Sequence, residues 1–198
     1  MKRDTEKLKQ KLIATGVAEI EKKGINQLSI RTVAQKCGVS HGAPYRHFGS
    51  KEGYLQVLLA EISERLAQAL KVNINQEDSA HQQLQVMGAN FFNFAQDYPN
   101  FFEILLIKSP LSYLETRQNQ IDFDCELPGF QTFKAMVQNL KAQENLDLPE
   151  SELIIHLWSY IAGLAILGQS QGGETIDSST IKSNIANMLD IYIKGAKA

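Results

Sequence analysis

Apolar side chains recur at the spacing of an α-helix along nearly the whole of this 198-residue chain. Near the N-terminus, Leu8, Leu12 and Val17 share one helical face, and the same steps of three and four residues return further along the chain. No segment of the sequence alternates apolar and polar residues as a half-buried strand does. The spacing therefore predicts an all-α protein with about nine helices.

Glycines and serines predict where the first helices begin and end. The first helix is expected to end at Gly24, and the second to run from Ser29, as its N-cap, to Gly38. Ser40 is then the predicted N-cap of a third, short helix that reaches Phe48. Because the turn between the second and third helices is so tight, these helices are expected to cross steeply.

The rest of the chain continues as helices. Ser50 is the predicted N-cap of a fourth helix, and Asp147 with Glu150 forms a capping-box signature further on. The later helices are predicted over residues 79–97, 99–107, 128–145, 149–169 and 179–194. Residues 108–127, which include Pro110, predict a loop or a broken helix instead.

Cysteines, histidines and missing motifs exclude several classes of protein. The two cysteines, Cys37 and Cys125, are far apart in sequence and predict neither a disulfide framework nor a zinc site. The histidines lack the spacing of metal ligands, and no nucleophile-elbow, Walker, zinc-protease or dinucleotide-binding motif is present. We therefore predict that the protein is not an enzyme and carries no cofactor or metal. Cys37 is expected to pack as a small apolar residue, and Cys125 to lie in an acidic loop without basic neighbours.

A membrane segment is not expected either. The N-terminal charges are not followed by the apolar run of a secretory signal. The longest apolar run without Asp, Glu, Lys or Arg is Leu153–Gly168, with 16 residues. A membrane-spanning helix needs about 18 such residues. We therefore expect a soluble, cytoplasmic protein.

Charge is distributed very unevenly along the chain. Residues 1–53 contain 11 Lys and Arg against 5 Asp and Glu, whereas residues 54–198 contain 9 against 17. The first part therefore carries a net charge of +6 and the second a net charge of −8. A basic part joined to an acidic remainder suggests a domain that binds a polyanion such as nucleic acid. The simpler alternative is a basic first helix that only faces solvent.

The segment Ser29–Phe48 has the pattern of a helix-turn-helix. Its caps, its turn and the buried angle between its helices are predicted to be formed by Ser29, Ala34, Gly38, Val39 and Phe48. The second helix would then project from the surface, as a helix that reads the major groove must. The free N–H groups at the start of that helix would suit a DNA phosphate.

The wider segment Thr5–Ala60 resembles the N-terminal domain of the TetR family of transcriptional regulators. The resemblance rests on LSIRTVAQKCGVSHGAPYRHF followed by GSKEGYLQVLL, and above all on the combination GVS-x-x-x-x-Y-x-HF-x-SKE. The later stretch HLWSYIAGLAILGQSQG is similar to a subgroup whose C-terminal domain contains a Trp-centred helix.

The resemblance implies two domains and a homodimer. A helix-turn-helix DNA-binding domain is expected over residues 1–50, and a helical effector-binding and dimerisation domain over residues 51–198. The dimer is expected to form through the helices at about 149–169 and 179–194. The implied function is a sequence-specific regulator, a repressor released from a palindromic operator by a small, largely apolar effector. Its partners would be double-stranded operator DNA, the effector and a second copy of the chain, without a membrane.

Carried over by position, the family pattern assigns two kinds of DNA contact. The side chains expected to reach base edges are Arg31, His41 and Arg46. The residues expected to hold phosphates are Ser40, Ala43, Tyr45, His47 and Lys51. Arginine is the best suited to read a base because its forked guanidinium binds O6 and N7 of guanine together.

Two residues depart from the family pattern. Pro44 stands where Leu or Ile is usual, and with Ser40 as N-cap its missing N–H would remove the first hydrogen bond of the recognition helix. Gly53 stands where an acidic residue is common. We therefore expect an irregular start to the recognition helix and a weakened start to the fourth helix.

Aromatic and methionine side chains are concentrated in residues 87–136, where they would suit a pocket for an apolar effector. The candidate pocket residues, including polar ones on nearby helices, are Met87, Asn90, Phe91, Phe94, Phe102, Phe133, Met136, His156, Trp158 and Tyr160. The alternative for each of them is ordinary core packing, with the polar groups satisfied by hydrogen bonds.

Two other functions fit the sequence. A DNA-binding architectural or cell-cycle factor without small-molecule control would have a filled core in its C-terminal part. A helical ligand carrier or enzyme with a vestigial helix-turn-helix would not bind DNA, and the net charge of +6 on residues 1–53 argues against it.

Overall fold

A computed structural model describes residues 2–108, 115–117, 120–122, 126–169 and 176–197 of the chain. Its helices are α1 (Lys2–Lys23), α2 (Ile30–Cys37), α3 (Ala43–Phe48), α4 (Lys51–Leu70), α5 (Ala80–Asp97), α6 (Pro99–Phe102), α7 (Pro128–Glu144), α8 (Glu150–Gly168) and α9 (Ser178–Ala196). A 3₁₀ turn covers Ile25–Gln27, and a π-helical stretch, Glu103–Lys108, continues α6. The prediction of an all-α fold is confirmed.

One short ribbon lies in the segment predicted as a loop or broken helix. The strands β1 (Glu115–Arg117) and β2 (Gln120–Asp122) pair antiparallel, with Thr116 opposite Ile121. Strands of three residues are too short to show a period of two in the sequence, so the pattern could not predict them. Cys125 lies outside the described residues.

The chain divides into two compact units, which we call the head and the body. The head consists of Met1–Glu64 with Tyr98–Ser109, and the body of Arg65–Asp97 with Pro110–Ala198. The division falls within α4, and α6 belongs to the head, where the Asn100 amide donates to the carbonyl of Glu21 at 2.8 Å. A functional boundary after residue 50 stays a prediction.

The head is built around the apolar stripe of α1. Leu12, Val17 and Ile20 of that stripe are completely buried, as is Leu58 of α4. Tyr54 of α4 is also completely buried, and its hydroxyl donates a hydrogen bond of 2.6 Å to the carbonyl of Leu12. Burial raises the pKa of the Tyr54 hydroxyl, so it remains a neutral donor. The two helices approach closely here because a glycine lies on α1: a Cβ on Gly16 would be 2.3 Å from the Tyr54 hydroxyl oxygen.

A buried carboxylate joins α1 to α2. Glu19 is 4% exposed and pairs with Lys23 at 3.3 Å and with Lys36 of α2. The hydrogen bond from Lys36 holds the pKa of Glu19 below its usual value, and Lys23 adds to this, although burial alone would raise it. The folded head therefore stabilises the charged form of Glu19.

Replacing Glu19 with Gln is expected to lower the free energy of unfolding by about 1 kcal/mol at neutral pH, since a charge-assisted bond becomes a neutral one. The folded-state pKa lies below the reference value of 4.5, so the stabilisation is complete above that pH and is lost as the pH falls through the folded pKa. Thermal unfolding of both proteins from about pH 7 to pH 3 measures this. A difference between them that is as large at the acid end as at neutral pH would contradict the assignment.

The body is built around α5, which packs against α7, α8 and α9. Leu84, Phe91 and Ala95 of α5 are buried, with Ile185 of α9. The close approach of α5 to α9 depends on Gly88, because a Cβ at that residue would be 2.5 Å from Cδ1 of Ile185. The predicted helical stripes of the C-terminal part therefore do form a common core.

α8 begins at a different residue from the one predicted. Its N-cap is Pro149, without a side-chain cap, so the capping box of Asp147 with Glu150 is wrong. The carbonyl of Pro149 accepts the N–H groups of Glu152 and Leu153 at 3.1 and 3.2 Å. The fixed φ of proline allows it to precede the first turn, and this moves the start two residues beyond a cap at Asp147.

Among the described helices, α8 alone is long and apolar enough to cross a membrane, judged by length and composition only. The sequence prediction counted only the charge-free run, which is shorter than the helix. α8 also includes the two glutamates of its first turn and is 19 residues long. In the body, α8 packs on α5 and α7. Only 28% of its apolar stretch is buried within the chain, so much of its apolar surface is left uncovered.

Candidate nucleic-acid interface

The first helix of the helix-turn-helix is capped at both ends. Ser29 is extended, and its Oγ accepts the N–H of Thr32 at 3.3 Å. Gly38 takes the left-handed conformation with φ 77°, and the N–H of Val39 donates to the carbonyl of Ala34 at 3.0 Å. This is a Schellman motif, which favours glycine at the left-handed position. The structure places both caps where the sequence predicts them.

The recognition helix α3 begins later than the sequence predicts. Its N-cap is Gly42, so the prediction of Ser40 as N-cap is wrong. Pro44 therefore lies at the second helical position, where an N–H would have no partner within the helix. A helix capped by Ser40 would instead need the N–H that Pro44 lacks. The expected irregular start is avoided because the helix simply starts two residues further on.

The turn before α3 is closed by a hydrogen bond of 3.0 Å from the N–H of Ala43 to the carbonyl of Ser40. Ala43 is 3% exposed, so this predicted phosphate contact offers neither an exposed side chain nor a free N–H. Ala34 is completely buried, whereas Val39 and Phe48 are half-buried beside the turn. The angle between the two helices is therefore filled by small side chains, with Ala43 among them.

Further bonds hold α2 on α1. The Lys11 ammonium donates to the carbonyl of Cys37, the last residue of α2, at 3.1 Å. Cys37 is itself buried, with its Sγ 3.3 Å from Oγ1 of Thr15. Together with the pair of Glu19 and Lys36, these contacts leave α2 little freedom to rotate. They also give Cys37 the packing role that the sequence predicts.

Most of the predicted DNA-contacting side chains face solvent. The exposed ones are Arg31, Ser40, His41, Tyr45, Arg46 and Lys51, and His47 is half-buried. Tyr45 is 44% exposed. The guanidinium of Arg46 lies 3.5 Å from Oγ of Ser40, so it is directed back over the turn.

The positive charge of this surface is available to a ligand. Within the part of the chain that the structure describes, no carboxylate pairs with Arg31, Arg46 or Lys51. By contrast, Lys23 and Lys36 are held by Glu19. The unpaired cations of α2, α3 and the start of α4 thus form an exposed basic surface that suits a phosphate backbone.

The junction of α3 and α4 explains the glycine at position 53. Ser50 caps α4 as predicted, with its Oγ accepting the N–H of Gly53 at 2.9 Å. A Cβ on Gly53 would be 2.3 Å from the carbonyl oxygen of Phe48, which belongs to the backbone and cannot move aside. The ring of Phe48 also packs on that of Tyr54, with centroids 4.8 Å apart. The sequence predicts that Gly53 weakens the start of α4, but the close contact with Phe48 requires a glycine there.

Replacing Gly53 with Ala is expected to lower the free energy of unfolding by about 1–3 kcal/mol, the range for overpacking a close contact. The clash outweighs the gain of about 1 kcal/mol that alanine gives in a helix. Chemical denaturation measures the effect, and Glu52→Ala, one residue earlier and exposed, is the control. A Gly53→Ala protein as stable as the wild type would show that Phe48 can move away.

A second feature, a narrow apolar cavity, lies in the body. It has a volume of about 30 Å³, which is room for one or two water molecules. The predicted pocket residues that line it are Met87, Phe91, Phe133, Trp158 and Tyr160. Every one of its 15 lining residues is uncharged.

Aromatic rings surround the tryptophan of this cavity. The centroids of Phe91, Phe130 and Phe133 lie 6.1, 5.4 and 5.3 Å from that of Trp158, the last two edge-on. The hydroxyl of Tyr160 donates to a backbone carbonyl of α9 at 3.1 Å, and burial raises its pKa. The cavity therefore offers aromatic faces and edges, with its one hydroxyl already engaged.

Two polar residues predicted for the pocket have structural partners elsewhere. The amide of Asn90 donates to the carbonyls of Leu70 and Val72 at 3.2 and 2.7 Å, where α4 ends. His156 is exposed, with its Nδ1 2.8 Å from the hydroxyl of Tyr192. Neither belongs to the cavity lining.

Three other residues predicted for the pocket do not line the cavity. Phe94 is buried outside the lining and Phe102 belongs to the head, while Met136 lines a groove next to the cavity. The sequence prediction missed the contributions of α4 and α9, such as Leu66 and Met188. These residues carry no aromatic or polar signal, and only their helical spacing marks them as inward-facing.

Comparisons with known proteins find a family match within the head and a similar fold along the chain. Residues 12–58 match the family described as bacterial regulatory proteins, tetR family. The HTH-type transcriptional regulator BetI of Vibrio campbellii is 26% identical over 190 residues, which cover 92% of this chain and 90% of BetI.

Solved structures share the fold along nearly the whole chain. A tetR-family regulator from Streptomyces coelicolor superimposes with a TM-score of 0.63 at 16% identity, over 94% of this chain and 80% of that one. RolR, solved with the ligand resorcinol, gives a TM-score of 0.65 at 12% identity, over 95% and 90%. At such identities the likeness concerns the fold alone.

Proposed function

We propose, since this chain is a TetR family transcriptional regulator, that it acts in the cytoplasm as a homodimeric repressor. Its two heads would occupy successive major grooves of a near-palindromic operator. The single observation that carries the proposal is the exposed helix-turn-helix, where Arg31 and Arg46, with Lys51 just beyond it, have no carboxylate partner among the described residues. In this arrangement Arg31, His41 and Arg46 would face base edges, and Ser40, Tyr45, His47 and Lys51 would hold phosphates.

The dimer is proposed to form through α8 and α9. Leu167 of α8 and Ile191 of α9 are 68% and 74% exposed. Gly163 and Gly195 lie on the same two helices. No other atom lies within 4 Å of the position that a Cβ would take there, so a partner helix can approach closely. An uncovered apolar face of this kind favours a second copy of the chain as its partner.

Control by a small, largely apolar effector is the remaining part of the proposal. It is supported by the uncharged aromatic lining of the cavity, and by RolR, which shares the fold and holds resorcinol. Leu66 and Leu70 line the cavity from α4, the same helix that begins at Lys51 in the head. An effector that displaces α4 would favour a conformation with lower operator affinity.

The test is a fluorescence-anisotropy titration of the full-length protein against DNA flanking its own gene. An unrelated fragment of equal length is the control, over a salt series from about 50 to 200 mM. The proposal expects binding to the flanking DNA that is tighter than to the control at every salt concentration. Equal and salt-sensitive binding to both fragments would indicate an architectural protein, and no binding at low salt would refute the proposal.

The small volume of the cavity favours a second candidate, a DNA-binding factor without small-molecule control. At about 30 Å³ the cavity is nearly filled by side chains. Thermal-shift measurements with single-ring aromatic compounds distinguish the two. An unchanged melting temperature with all of them would favour the second candidate.

A further inference from the structure

An open groove lies next to the apolar cavity in the body. Its volume is about 390 Å³, and its walls come from the segment between α4 and α5, from α5 and from α7. Its lining includes Lys71, Gln76, Met87, Thr132, Met136 and Asn139. Unlike the cavity, the groove is rich in groups that donate hydrogen bonds.

Met87 lines both spaces. Its side chain is 2% exposed, and it is the one residue common to the linings of the cavity and the groove. Methionine has an unbranched side chain with three rotatable bonds, so it can move aside at little cost. A rotation of Met87 would therefore join the cavity and the groove into one site.

The sizes of the two spaces determine what such a site can hold. The cavity alone has room for one or two water molecules, well below the 300 Å³ or more that is typical of ligand pockets. The groove supplies the missing volume. A ligand of ordinary size that reaches the cavity must therefore extend across Met87, with an apolar end near Trp158 and a polar end in the groove.

Charge determines which polar end the groove favours. Lys71 is exposed and is the single charged residue in the lining of the groove. Within the described residues no carboxylate pairs with its ammonium. The amide and hydroxyl groups of Gln76, Thr132 and Asn139 stand around the same space. These groups suit an anionic head such as a carboxylate.

We propose that the effector is an amphipathic anion whose aromatic or similarly compact apolar end takes the space that Met87 vacates beside the cavity and whose carboxylate-like head is held at Lys71. The inference rests on the proposed effector control and specifies its ligand. It assigns to Lys71 a role in specificity that neither its exposed position nor the sequence pattern suggests.

The tryptophan provides a direct readout, because Trp158 is the single tryptophan of the chain and lines the cavity. Its fluorescence is measured during titration of the full-length protein, without DNA, with four probes. Three share a phenylbutyl group and differ in the head: 4-phenylbutyrate, 4-phenylbutanol and 4-phenylbutylamine. The fourth, butyrate, has the anionic head without the ring.

We expect 4-phenylbutyrate to bind about two- to fivefold tighter than the alcohol, the effect of one exposed charge pair, and the amine to bind more weakly still. Butyrate should bind much more weakly than 4-phenylbutyrate. Lys71→Glu should reverse the order of the carboxylate and the amine. Lys182→Glu, which changes an exposed lysine of α9 outside both linings, should leave the order unchanged.

Four results would overturn the inference: equal affinities for the three heads, butyrate binding as tightly as 4-phenylbutyrate, a Lys71→Glu protein that behaves like Lys182→Glu, or no binding of any probe. The outcome is independent of operator binding, because the titration contains no DNA. Binding in the expected order without release of bound DNA would refute effector control of repression but not the assignment of the site.

Discussion

If the chain dimerises through α8 and α9 as proposed, replacing both Leu167 and Ile191 with glutamate is expected to convert the dimer into monomers and to weaken operator binding by at least about 100-fold. These are the two most exposed large apolar side chains among the described residues. In a dimer through α8 and α9 each glutamate would bury a charge without a partner, which costs several kcal/mol. The loss in affinity follows because a monomer binds one half-site without the gain of the second. Sedimentation gives the mass of the particle, and anisotropy gives the operator affinity.

The matched control carries the same two added charges elsewhere on the body. Asn93→Glu with Ala142→Glu changes exposed residues of α5 and α7. This protein should remain dimeric and bind the operator nearly as the wild type does. A dimeric Leu167→Glu, Ile191→Glu protein would place the interface on another surface. Monomers that keep full operator affinity would contradict the two-headed arrangement.

Replacing Arg46 with alanine is expected to remove much of the discrimination between the operator and other DNA. Its guanidinium is exposed on the recognition helix and has no carboxylate partner within the described residues. A bidentate contact with guanine contributes about 1–3 kcal/mol, and a dimer loses two such contacts. The operator affinity should therefore fall by about 100-fold or more, whereas binding to unrelated DNA should fall much less.

Two variants separate base reading from simple charge. Arg46→Lys keeps the positive charge without the fork, so it should retain the salt dependence but lose most of the preference for the operator. Lys22→Ala removes one exposed positive charge from the end of α1 and should leave the preference intact. An Arg46→Ala protein that weakens equally on operator and unrelated DNA would make Arg46 a phosphate contact instead.

The head could be predicted from the sequence almost completely, because its signals are local. Ser29, Gly38 and Ser50 act through hydrogen bonds within a few residues of themselves, so the residue type is enough to place them. The errors arose where two local rules competed. Ser40 is a good N-cap by type, but Pro44 lacks the N–H that a helix capped there would need, and α3 starts at Ala43 instead.

The candidate site in the body was less predictable, since residue type does not report which neighbour a side chain meets. Phe91 and Phe94 look equivalent in the sequence, yet the first lines the cavity and the second does not. Asn90 has the appearance of a ligand-orienting residue but instead holds the end of α4. Lys71 carries no motif, and its role follows only from the groove around it.

The sequence by itself determined the all-α fold, the helix-turn-helix and the uneven charge, because helical period, caps and charge depend on residues close together in the chain. The tertiary structure alone decided that Gly16 and Gly53 are required by close contacts, that α6 belongs to the head, and that the cavity is almost filled. Each of these depends on which segments, distant in sequence, approach within a few ångströms. Such distances follow from packing of the whole chain, which no local pattern encodes.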